Sequence, residues 1–118
     1  MVETLRVLVV DDETGMRLAV ARVLNTYTVR LGEGGGEHVV NFAIETAESG
    51  EDALEAMAKG APDLLLLDMK LPGMSGLDVL RACKKRHPDT VVIMISAYAS
   101  TEVAVEAMKA GAFDYVPK

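Results

Sequence analysis

The chain has 118 residues, half of them hydrophobic, as is typical of one globular domain with its own core. Its net charge of -6 argues against direct nucleic-acid binding by this domain, because gripping a phosphate backbone needs a basic face. The single cysteine, Cys83, excludes an intramolecular disulfide and fits a reducing compartment. Neither a signal peptide nor an apolar run of about 18 residues is present, so we expect a cytoplasmic domain without membrane contact.

Short apolar runs alternate with helical patterns along the chain. The patterns predict, in order, a strand at 5–10, a helix at 17–24, a strand around 40–44, a helix from Ser49 to Lys59, a strand at 63–67, a helix from Ser75 to His87, a strand at 91–95, a helix at 101–110 and a strand at 113–117. Apolar strands separated by helices indicate a parallel sheet covered on both faces by right-handed crossovers. We therefore predict an α/β, doubly wound sheet of five parallel strands and four helices.

Two features depart from this simple alternation. The connection at 25–39 is longer than the usual helix-to-strand loop of about 2–6 residues. Alternating apolar residues flank its glycine-rich run at 32–36, so it predicts a β-hairpin or, alternatively, a long mobile loop before strand two. At the other end, the sequence stops at Lys118, where a sheet of this kind continues into a last helix. We expect a C-terminal truncation that exposes apolar surface, through which a non-native homodimer can form.

Polar side chains follow the carboxyl ends of four predicted strands. Asp11 and Asp12 follow the first strand and Asp68 ends the third, while Ser96 and Lys118 end the fourth and fifth. Parallel sheets bind ligands at this edge, where adjacent carboxylates repel one another unless a hard divalent cation such as Mg²⁺ intervenes. Singly, each residue has an ordinary explanation as a helix cap, a turn residue, a strand-end hydroxyl or a solvated lysine. Their joint placement favours a functional site.

The motifs VLVVDDE, DLLLLDMKLPGMSGLDVL, VVIMISAYAS and AMKAGAFDYVPK follow one another in this order along the chain. Together they resemble the receiver domain of two-component response regulators, and the resemblance covers nearly all of residues 1–118. It implies a flavodoxin-like strand order, 2-1-3-4-5. The C-terminal part looks most like receivers of nitrogen-regulator-like activators, which implies an AAA+ ATPase and a DNA-binding domain outside this chain, and transcriptional regulation as the output.

The resemblance also implies roles for individual residues in phosphorylation. Asp68 would accept a phosphoryl group from a sensor histidine kinase, so the domain would be a phosphoacceptor and not an enzyme. Ser96 and Lys118 would contact the phosphoryl oxygens, with small Ala97 leaving room for them. Tyr115 would be the switch aromatic that responds as Ser96 moves toward the phosphate.

A Mg²⁺ ion is the cofactor that the resemblance implies. Its ligands would be Asp11, Asp12, Asp68 and the backbone carbonyl of Lys70, with Asp12 binding directly.

Two other functions remain open at this point. A metal-dependent phosphatase with an aspartyl-phosphate intermediate needs an acid/base carboxylate two residues after its nucleophile, where this chain has Lys70. A receiver-like interaction module that is never phosphorylated would not need the complete set of strand-end residues.

Overall fold

The computed structural model describes residues 2–26, 28–33, 36–97 and 100–118. Its elements are β1 (Val2–Val10), α1 (Thr14–Thr26), β2 (Thr28–Glu33), β3 (Gly36–Ala47), α2 (Gly50–Lys59), β4 (Leu64–Asp68), α3 (Gly76–Arg86), β5 (Val91–Ser96), α4 (Thr101–Lys109) and β6 (Asp114–Pro117). One six-stranded sheet has the order β2-β3-β1-β4-β5-β6, in which every pairing is parallel except β2 with β3. Counted without β2, the strands have the expected order 2-1-3-4-5.

The extra segment is a β-hairpin, so of the two predicted alternatives the hairpin is confirmed. β2 runs antiparallel to the first half of β3, from the Thr28–Asn41 pair to the Glu33–Gly36 pair. The five predicted parallel strands are confirmed, and the first arm of the hairpin joins them as a sixth, antiparallel strand at the edge of the sheet. The glycine turn was predicted over 32–36, and residues 34–35 at its centre lie outside the described residues. α1 continues through 25–26, so those residues belong to the helix.

Local sequence signals set the ends of two helices. The Ser49 side chain accepts a hydrogen bond from the backbone N–H of Asp52 at 3.1 Å, and Ser75 accepts one from Asp78 at 3.2 Å. Both serines thus satisfy an N–H group that has no partner within the first helical turn. Ser49 and Ser75 are therefore the N-caps of α2 and α3.

The core is aliphatic, as the low aromatic content suggests. Along β4 and β5, fully buried side chains alternate with half-buried ones, and Leu65, Leu67 and Met94 face the buried side. They pack with Met57 of α2 and Leu80 of α3 in one hydrophobic cluster. With this strand order, the right-handed crossovers usual between parallel strands predict α1 on one face of the sheet and α2, α3 and α4 on the other. None of the helices among the described residues is long and apolar enough to span a bilayer.

Gly76, the first residue of α3, allows the helix to approach the end of β4 very closely. A Cβ atom built on Gly76 would lie 2.2 Å from the carbonyl oxygen of Asp68 and 2.8 Å from Cα of Met69. The Gly76 N–H donates to the Met69 carbonyl at 2.9 Å. Because backbone atoms cannot move aside as a flexible side chain can, this contact requires glycine and holds the chain just after Asp68 in place.

Replacing Gly76 by alanine is expected to destabilise the fold by about 1–3 kcal/mol, since the added methyl group overlaps backbone atoms. The matched control is Gly15→Ala in the first turn of α1, where a Cβ meets nothing within 4 Å. Alanine should raise stability there by up to about 1 kcal/mol through helix propensity. Urea unfolding of both variants checks this, and equal effects at the two positions would contradict it.

Candidate functional site

Three aspartates converge at the carboxyl edge of the sheet. Asp11 directly follows β1 and Asp68 ends β4, and these neighbouring parallel strands finish side by side. Asp11 and Asp68 are only 4% and 5% exposed, whereas Asp12 faces solvent. Each of the three offers a carboxylate oxygen, and these oxygens all lie within 4.8 Å of one another. Such a set of oxygen ligands, with an open side toward water, suits a hard cation such as Mg²⁺.

The Lys118 side chain lies between the two buried carboxylates. Its Nζ atom is 3.0 Å from Oδ2 of Asp11 and 3.0 Å from Oδ2 of Asp68. It also lies 3.4 Å from Oε1 of Glu13. The backbone N–H of Lys118 donates to the Ser96 carbonyl at 2.7 Å, so pairing with the end of β5 directs the lysine toward the aspartates.

The other predicted residues lie on β5, on β6 and in the connection after β4. Ser96 is completely buried at the end of β5. The backbone N–H of Lys70 donates to Oδ1 of Asp68 at 3.2 Å, which fixes the orientation of that carboxylate. Tyr115 is half-buried on β6 opposite Met94, and it packs against the hydrophobic core.

An open cleft of about 340 Å³ lies over the carboxylates. Its walls are formed by Asp12, Glu13, Asp68, Lys70, Leu71, Pro72, Ala97 and Lys118. A water molecule occupies about 30 Å³ in the liquid, so the cleft has room for a hydrated cation together with a phosphoryl group.

Burial and nearby charges change the pKa values of Asp68 and Lys118 in different ways. Burial raises the pKa of Asp68 above its ordinary 3.8, while hydrogen bonds from Lys118 and from the Lys70 N–H oppose the rise and the nearby charge of Asp11 adds to it. For Lys118, burial alone would lower the pKa, but the hydrogen bonds to Asp11 and Asp68 outweigh burial, and the pKa lies above its ordinary 10.5. Lys118 is therefore a permanent cation at neutral pH.

Sequence reasoning did not assign two charged residues that the structure brings to this site. Glu13 reaches Lys118, and Arg17 donates from Nη1 to the carbonyl of Asp11 at 2.6 Å. The only available signal for Glu13 was its position directly after the acidic pair.

The chain is similar to known proteins over nearly its whole length. The model of the family described as response regulator receiver domain matches residues 7–118. The DNA-binding transcriptional regulator NtrC of Escherichia coli (strain K12) is 40% identical over 110 residues, which are 93% of this chain and 21% of that protein. This chain thus spans about a fifth of that relative's length.

Two solved structures share the fold. NtrX from Brucella abortus superposes with a TM-score of 0.79 at 37% identity, over 98% of this chain and 24% of that one. A response regulator protein from Burkholderia pseudomallei superposes with a TM-score of 0.80 at 26% identity, over 96% and 59% of the two chains. That structure contains a phosphorylated aspartic acid, a calcium ion and citrate.

The raised pKa of Asp68 predicts how stability depends on pH. Folded protein keeps the Asp68 proton to a higher pH than the unfolded chain, so this residue lowers stability as pH rises from about 3.8 through its raised pKa. Asparagine does not titrate. The stability advantage of Asp68→Asn over the natural chain should therefore grow across that window and stay constant above it.

Urea unfolding at a series of pH values measures this difference. Asp89→Asn, which removes an exposed carboxylate outside the cleft, is the control for loss of one negative charge. An advantage of Asp68→Asn that shrinks with rising pH would show that burial does not govern this carboxyl group.

Proposed function

Because the chain belongs to the response regulator receiver domain family, we propose that it is a phosphorylation-dependent signalling switch with Asp68 as its phosphoacceptor. The observation that carries the proposal is the position of the Lys118 ammonium group, 3.0 Å from both buried carboxylates. Asp68 is a carboxylate buried at the end of a strand, where burial costs free energy unless the charge is paired. It lies between the Lys118 ammonium group and the open cleft. When Asp68 acts as a nucleophile, this positive charge is therefore already in place to offset the negative charge of the acyl phosphate.

The proposed reaction is a phosphoryl transfer from a phosphohistidine of a sensor histidine kinase. An Oδ atom of Asp68 bonds to phosphorus, the P–N bond breaks, and its electron pair returns to the imidazole nitrogen. Lys118 offsets charge on the transferred group, and the hydrogen bond from the Lys70 N–H orients the attacking carboxylate. Mg²⁺ held by Asp11, Asp12, Asp68 and the Lys70 carbonyl would supply further charge neutralisation. Ser96 would donate to a phosphoryl oxygen, with Ala97 leaving space beside it.

Phosphorylation would then change the surface formed by α4 and β6. Converting Asp68 to an acyl phosphate removes a carboxylate that pairs with Lys118. The backbone N–H of Lys118 in turn donates a hydrogen bond to the carbonyl of Ser96. Tyr115 lies three residues before Lys118 on β6 and packs against the core. A shift of Ser96 toward the phosphate would therefore bias the position of Tyr115, which is how we propose that the signal leaves the site.

The same family membership supports proposals about the partner and the output domain of this chain. We propose that residues 1–118 act as one cytoplasmic receiver domain, with the hairpin as an insertion. Its partner would be a histidine kinase, and its output domain, an AAA+ ATPase with a DNA-binding domain, would regulate transcription. The net charge of -6 supports leaving DNA contact to that output domain.

Incubation with Mg²⁺ and acetyl phosphate is expected to add one phosphoryl group to Asp68, because the site supplies positioning and charge without a kinase. Intact-mass and peptide mass spectrometry should locate an adduct that hydroxylamine removes. Asp68→Asn should abolish it, while Asp89→Asn, outside the cleft, should retain it. Failure of the natural chain to form the adduct would overturn the proposal, and steady release of phosphate from phosphomonoesters would favour a phosphatase.

Mg²⁺ is expected to stabilise the folded protein, since the folded state gathers carboxylates that the unfolded chain does not. At about 100 times its dissociation constant, a ligand specific for the folded state adds about 2.7 kcal/mol. Thermal unfolding with and without Mg²⁺ measures the shift. Asp12→Asn should reduce it strongly, and an equal shift in that variant would exclude Asp12 as a ligand.

A further inference from the structure

Arg17 links three segments at the edge of the candidate site. Its guanidinium group donates from Nη1 to the backbone carbonyl of Asp11 at 2.6 Å and from Nη2 to Oγ1 of Thr14 at 3.2 Å. The same Nη2 atom lies 3.6 Å from a carboxylate oxygen of Glu48, in the connection between β3 and α2. The Arg17 side chain is only 13% exposed and its bond to the Asp11 carbonyl is partly buried, whereas the Glu48 side chain is 70% exposed.

The Asp11 carbonyl that Arg17 holds belongs to the peptide bond before Asp12. This bond lies just beyond the last residue of β1 and ahead of α1, in the connection between them. A peptide group is planar, so fixing the carbonyl of Asp11 also fixes the N–H and the Cα position of Asp12. The Glu13 N–H donates to Oδ1 of Asp11 at 2.9 Å and restrains the other side of the same turn.

We propose that Arg17 is a positioning residue for the divalent-cation site, acting through the Asp11 carbonyl to orient the Asp12 carboxylate. This inference rests on the proposed function, because it assumes that a cation binds at Asp11, Asp12 and Asp68. Arg17 itself touches neither the cation nor the phosphoryl group. Its effect is geometric and is transmitted through one peptide group.

Electrostatics and geometry predict opposite results when Arg17 is removed. The guanidinium is a positive charge close to an acidic cluster, so by Coulomb's law alone its loss strengthens Mg²⁺ binding. If Arg17 instead positions Asp12, its loss weakens binding, because a ligand that is no longer held pays an ordering cost when the cation arrives. The sign of the change therefore separates the two roles.

The test is isothermal titration of Mg²⁺ into four proteins. These are the natural chain, Arg17→Met, Arg17→Lys, and Arg86→Met as a control for loss of an exposed arginine at the far end of α3. We expect the dissociation constant to rise about tenfold in Arg17→Met and by a smaller factor in Arg17→Lys, which keeps the charge but lacks the two-nitrogen fork. Arg86→Met should match the natural chain. Unchanged or tighter binding in Arg17→Met would overturn the inference.

Labelling with acetyl phosphate gives a second readout. The Mg²⁺ concentration for half-maximal labelling should rise in Arg17→Met, while the rate at saturating Mg²⁺ stays close to that of the natural chain. Circular dichroism and urea unfolding without Mg²⁺ establish that each variant is folded. If Arg17→Met does not fold, the Arg17→Lys variant provides the test. The inference is then overturned if Arg17→Lys binds Mg²⁺ as tightly as the natural chain does.

The two proposals fail in different ways. If the natural chain binds Mg²⁺ and Arg17→Met binds it more weakly, but Asp68 forms no adduct, the phosphorylation proposal fails and the role of Arg17 stands. If Asp68 is labelled normally and the Mg²⁺ affinity of Arg17→Met is unchanged, only the role of Arg17 is overturned.

Discussion

The contact of one ammonium group with two buried carboxylates is the interaction on which the site depends. Asp11 and Asp68 lose most of their hydration when the sheet forms, which brings two negative charges close together where little water reaches them. Lys118 offsets both charges from 3.0 Å and comes from the opposite end of the chain. The site is therefore complete only when β1, β4 and β6 are all in place, which ties its electrostatics to the integrity of the whole fold.

The sheet supplies this geometry through the direction of its strands. Parallel strands bring their carboxyl ends to one edge, and the apolar runs of β1 and β4 lead directly to Asp11 and Asp68. Gly76 then lets α3 approach the backbone of Asp68 more closely than any side chain would allow. The loop after Asp68 is consequently held between a strand and a helix, so the phosphoacceptor that we propose lies on a rigid support.

The hairpin extends the sheet away from this chemistry. β2 pairs with the first half of β3, which is the half farthest from the carboxyl ends of the strands. The pairing of β1 with β3 continues without interruption up to Val10 and Ala47. The insertion therefore extends one edge of the sheet. It leaves the position of Asp11 unchanged, since β1 still pairs with β3 and β4 in parallel up to the residue before Asp11.

The sequence by itself determined the element order, the parallel core, and the strand ends that carry Asp11, Asp68 and Lys118. Apolar periodicity and serine caps are local signals, and the sequence carries them directly. Tertiary structure alone decided that Glu13 reaches Lys118, that Arg17 holds the Asp11 carbonyl and that Gly76 must lack a side chain. Those contacts depend on distances between elements and on the direction of long side chains, which follow from packing and leave no periodic trace in the sequence. Tertiary structure also decided between a hairpin and a loop before the second parallel strand, because the pairing of the two arms depends on the folded sheet.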